Sequence, residues 1–154
     1  MTLLWTKSRL PIGPLICWGL ESKVSHFAVL FNNALVLQSN FFGVHILHIN
    51  DFLKYSDIIY KKEYALLKSE EATLLTDIMS KYYGKRYDWK WFFNLVWNVI
   101  LFKFFRINNM DNIKWRSRDK FLCTEIVTFL ESIIGKVNVG NGSPIYLAKN
   151  LGVI

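Results

Sequence analysis

The sequence predicts an α+β domain in which an antiparallel sheet packs against a helix that carries a cysteine. Three observations support this. Stretches rich in β-branched and aromatic residues at 24–31, 34–39, 43–49 and 57–62 are mostly separated by turn-length gaps. Leu75, Ile78, Met79 and Tyr82 recur at helical spacing between Ser69 and Gly84. Around Cys123, the residues Leu122, Ile126, Phe129, Leu130 and Ile133 form one apolar helical face. With 154 residues, 52% of them hydrophobic, the chain suffices for one domain with a real core, spanning 1–154.

Taken in order, residues 1–20 read as a lead-in. Pro11-Ile12-Gly13-Pro14 forces a turn, and Leu15-Ile16-Cys17-Trp18 packs as a short helix. The strands at 24–31, 34–39 and 43–49 form a meander, turning at Asn32-Asn33 and at Asn40 to Phe42. Asn50-Asp51 opens a short helical turn through Lys54, and 57–62 is a fourth strand. Ser69 is the expected N-cap of the next helix, with Glu70 and Glu71 complementing its first turn and Gly84 closing it. Trp91 to Phe105 is the most hydrophobic run, but Asn94, Asn98 and Lys103 interrupt it. It is shorter than the roughly 20 residues that a membrane span needs. A basic loop over 106–120 delivers the chain to the cysteine helix, for which Ser117 or Asp119 is the expected N-cap. Gly135 stops that helix, and Ser143 to Ala148 begins a last one.

Charge is concentrated. Residues 81–120 hold ten Lys/Arg against three Asp/Glu, which accounts for the whole net charge of +7. Aromatic residues crowd the same stretch, so the segment 85–120 suits an anionic polymer or a membrane interface. A buried helix with solvated basic flanks is the plain alternative. No specific nucleic-acid partner is expected. Cys17 and Cys123 do not make a disulfide framework. Pro11, Gly13 and Pro14 break what would be the apolar region of a signal peptide, so none is expected.

Cys123 falls in or near a first helical turn, where unpaired N–H groups and the helix dipole lower a thiol's pKa. Its candidate base is His26, on the strand Val24-Ser25-His26-Phe27-Ala28-Val29. A small buried core residue is the competing account of Cys123. His45 and His48 are three apart on a strand and face opposite ways, a poor metal pair, so no metal or other cofactor is expected.

Four stretches together resemble the NlpC-type papain-like proteins. They are His26 with its following strand pair, Phe42-Gly43-Val44-His45-Ile46, Gly84-Lys85-Arg86-Tyr87-Asp88-Trp89 and Phe121-Leu122-Cys123-Thr124-Glu125-Ile126-Val127. The histidine precedes the cysteine, which is the order of the circularly permuted branch, the YiiX/YaeF-like amidases and, more distantly, the lecithin:retinol acyltransferase group. The resemblance implies a permuted papain-like fold and a cysteine hydrolase working through an acyl-enzyme. Cys123 would be nucleophile, His26 base, and Gln38, twelve residues after the histidine, the third member of the triad. Glutamine here lacks the charge of an acid, but its carbonyl can accept from the ring as an asparagine does in papain-like triads. The main-chain N–H of Cys123 would donate to the oxyanion. Tyr87, Ser25 and Glu125 would line the substrate site, although packing or bracing explains each as well.

By the same resemblance the substrate would be a cell-wall (peptidoglycan) peptide or an acyl-lipid. A small, basic hydrolase of this kind also fits a phage particle component, so the expected location is cytoplasmic or virion-associated, with phage particle proteins as partners. Two alternatives stay open. One is a non-catalytic module of the same fold that binds an anionic surface, and the other is a lipid acyl hydrolase or acyltransferase.

Overall fold

The structure, a computed structural model, describes residues 1–105 apart from 21, residues 120 and 121, and residue 130. Its elements follow the order β1 (Thr2–Ser8), α1 (Ile12–Leu20), β2 (His26–Phe31), β3 (Leu35–Asn40), β4 (Gly43–His48), α2 (Ile49–Tyr55), β5 (Ser56–Glu63), α3 (Lys68–Tyr82), β6 (Arg86–Tyr87), α4 (Trp89–Phe105) and β7 (Lys120–Phe121). Among the described residues the architecture is α+β, with a five-stranded antiparallel sheet in the order β4-β3-β2-β1-β5. A separate parallel pair joins β6 to β7.

Residues 2–8 are not a lead-in but a strand, and it lies inside the sheet between β2 and β5. Leu3, Leu4 and Trp5 are buried there, and Trp5 meets Phe27 and Tyr60 edge-on. The expected meander is present as β2-β3-β4, after which α2 carries the chain to the opposite edge, where β5 pairs with β1. At Asn32 and Asn33 both φ angles are positive, the left-handed turn asparagine tolerates best after glycine.

Alternation gives the sheet two apolar faces. Leu3, Trp5, Phe27, Val29, Phe31 and Leu37 pack with Leu74 and Ile78 of α3 and with Leu130. Leu4, Ala28 and Val36 pack on the other side with Phe52 of α2. Helix α3 starts two residues earlier than expected, with Leu67 rather than Ser69 at the cap, and the Glu70 carboxylate accepts from the Leu67 N–H at 2.8 Å. Its inward face includes Glu71, which is buried and accepts from the Asn32 N–H at 2.7 Å, tying the β2–β3 turn to the helix. Gly84 follows the C-cap with φ +73, as expected of a closing glycine.

Gly43 starts β4 at φ +92, and a Cβ there would stand 2.3 Å from the Lys85 carbonyl oxygen. That carbonyl accepts from the Val44 N–H at 3.0 Å, and the Gly84 N–H donates to the Val44 carbonyl at 2.9 Å. Gly43 thus lets β4 approach the turn that feeds β6. Gly43→Ala combines an unfavourable backbone region with a backbone clash, so a loss of about 2–4 kcal/mol is expected. An unchanged urea midpoint would show that this approach does not matter to stability.

Candidate functional site

The β-strand period puts His26 on the face of Ala28 and Leu30, Gln38 on that of Val36, and His45 on that of Leu47. Pairing of Ala28 with Gln38 and of Gln38 with His45 then lines the three polar side chains up across β2, β3 and β4. His26 Nε2 lies 3.0 Å from Gln38 Oε1. Gln38 Nε2 lies 3.1 Å from His45 Nε2, and His45 Nδ1 lies 2.9 Å from the Gly43 carbonyl oxygen. Burial pushes the His26 imidazole down to about 4, against the Gln38 hydrogen bond, which raises it, while charge on His45 lowers it further. At neutral pH the ring is therefore uncharged and can take a proton.

His26 and Gln38 border a cavity of about 390 Å³ on this face of the sheet. Its walls come from α1 through Ile12 and Ile16, from α2 through Phe52 and Tyr55, and from the β3–β4 turn through Phe41 and Phe42. Ser25 and Tyr87 border it too. Ser25 is buried, and its hydroxyl oxygen accepts from the Ser8 N–H at 2.8 Å, so this side chain braces the start of β2 against the end of β1. Tyr87 belongs to an aromatic cluster in which Phe41 stacks on Trp89 at 4.6 Å and meets Tyr87 edge-on at 5.8 Å.

Cys123 and Glu125 lie outside the described residues, as do Ser117, Asp119, the helix expected from Leu122 and the elements expected beyond it. What is described is the approach: Phe121 pairs with Tyr87 across β6 and β7. Leu130, further along, is buried in the core. The other thiol, Cys17, is half-buried on α1.

His45 and His48 face opposite ways. While His45 joins Gln38, His48 caps α2, its Nδ1 accepting from the Asn50 N–H at 3.2 Å. No group of three potential metal ligands occurs among the described residues. Helix α4 exposes Phe93, Trp97, Phe104 and Phe105, and no described helix is long and apolar enough to cross a membrane.

Sequence reasoning missed His45 as a partner of Gln38 and the aromatic wall at Phe41. The signal for the first was present: a two-residue turn at Phe41-Phe42 sets Gln38 opposite His45. Comparison with protein-family models, curated proteins and solved structures finds no match.

Proposed function

We propose that the chain is a cysteine hydrolase of the permuted papain-like kind, cleaving an ester or amide through an acyl-enzyme. The observation that carries this reading is the His26–Gln38 pair, 3.0 Å apart, at the wall of a cavity that Tyr87 also borders. Gln38 accepts from His26 Nε2–H, which leaves Nδ1 as the basic nitrogen. Cys123 supplies the nucleophile. It follows Phe121, the partner of Tyr87, by two residues, and two residues of chain span at most about 7 Å.

In the reaction the Cys123 sulfur bonds to the substrate carbonyl carbon while its proton passes to His26 Nδ1. The Cys123 N–H donates to the developing oxyanion. His26 then returns the proton to the departing alcohol or amine as the carbon–oxygen or carbon–nitrogen bond breaks, leaving a thioester. Water, deprotonated by the same nitrogen, adds to the thioester carbon; the carbon–sulfur bond then breaks, the carboxylic acid leaves, and His26 returns the proton to the Cys123 sulfur. Because Ile12, Ile16, Phe41, Phe42, Leu47 and Phe52 dominate the cavity wall, the favoured substrate carries an apolar acyl chain rather than a polar wall peptide.

Alkylation tests the reading without a known substrate. Iodoacetamide at neutral pH should label Cys123 at least about 10-fold faster than Cys17, since only an activated thiol reacts well there. Equal, slow labelling of both thiols would leave the non-catalytic module as the better account.

A further inference from the structure

Glutamine is an ambiguous orienter. A carboxylate beside an imidazole can only accept, so it always draws a proton to the nitrogen it faces. An amide can turn over and present its NH2 instead. Turned that way, Gln38 would donate to His26 Nε2, the ring proton would move to Nδ1, and the basic nitrogen would be lost to the reaction. The two orientations have nearly the same shape, so packing alone does not choose between them.

The chain of contacts beyond Gln38 makes the choice. The Gly43 carbonyl has only lone pairs to offer, so His45 Nδ1, 2.9 Å away, must carry a proton. A neutral His45 then has a bare Nε2, which can only accept. Its partner at 3.1 Å must be the Gln38 NH2, which turns the Gln38 carbonyl toward His26. The Gly43 carbonyl is itself held, because β4 pairs with β3 on one side and is bonded to Lys85 and Gly84 on the other. We propose, on the reading of His26 as the general base, that His45 is a positioning residue which selects the His26 tautomer by fixing the direction of the Gln38 amide.

The experiment is nitrogen NMR of protein labelled with 15N-histidine, at alkaline pH where the imidazoles are neutral. In the unaltered protein His26 should show a protonated Nε2 and a bare Nδ1, and His45 the opposite pair. In His45→Phe the single-tautomer signature of His26 should be lost, its Nδ1 resonance moving toward the protonated range. The double variant Gln38→Glu with His45→Phe should restore it, because a carboxylate has no NH2 to present. Observing Nδ1–H on His26 in the unaltered protein would overturn the proposal even if no variant folds, and so would a His45→Phe protein with an unchanged His26. Neither spectrum depends on Cys123 or on turnover. The expected tautomers together with unreactive Cys123 would therefore retain the relay and reject the hydrolase.

Discussion

His26→Ala should lower turnover of a p-nitrophenyl acyl ester by about 10⁴-fold or more, the usual cost of removing the base from a nucleophile–base pair. Gln38→Ala should cost less, roughly 10- to 100-fold, as expected for a partner that orients a ligand without touching the reacting atoms. The inequality follows from geometry. In the proposed mechanism Gln38 acts only through its 3.0 Å bond to the ring, whereas His26 is the group that holds the thiol proton. Steady-state kinetics of the two variants against the unaltered protein measure both. A larger loss for Gln38→Ala would mean that the base has been misassigned.

Activity should fall on the acid side with a midpoint near 4, far below the ordinary histidine range, because burial holds His26 neutral. A pH profile of the Cys123 alkylation rate tests this directly. If instead the acid limb lies at or above the ordinary histidine value, burial does not hold the ring neutral and the neutral-base mechanism is wrong. The same shift acts on folding. With the folded pKa depressed to about 4, the unfolded chain binds more protons between its own pKa of about 6.5 and 4. Stability is thus fully present above about 6.5 and declines as pH falls through 4, by at most about 3 kcal/mol for this one ring. Since His26 is only partly sheltered from solvent by the cavity wall, the loss should lie below that ceiling. His26→Phe should flatten the decline, and an identical pH dependence in both proteins would assign it to other groups.

Local chemistry made much of the fold legible. Asn32-Asn33 and Gly84 marked chain reversals because both types accept positive φ, and the structure has them there. Three strands of the meander and the span of α3 were readable from period-2 and period-3.6 patterns. The strand at Thr2–Ser8 was not, because its partners in β2 and β5 are remote in sequence and Pro11 to Pro14 drew the segment into a turn-rich reading. Glu71 escaped for a related reason. A carboxylate at the start of a helix reads as a solvated dipole partner, and it is the approach of the β2–β3 turn and of the Met1 ammonium, 3.3 Å away, that covers it.

At the site, residue type offered His26 as a candidate base, and the papain-like resemblance supplied Gln38 as its partner; the structure puts both on the same face of neighbouring strands, 3.0 Å apart. The residues themselves went no further than His26 and Cys123 as candidates, and Gln38 came from the resemblance. Tertiary structure decided the rest: the cavity assembled from α1, α2 and the β3–β4 turn, the burial that discharges the imidazole, and the Gly43–His45 link that gives the amide its direction. Patterns along a chain report which face a side chain takes. Desolvation and the sense of a hydrogen bond depend on what arrives from elsewhere to meet that face.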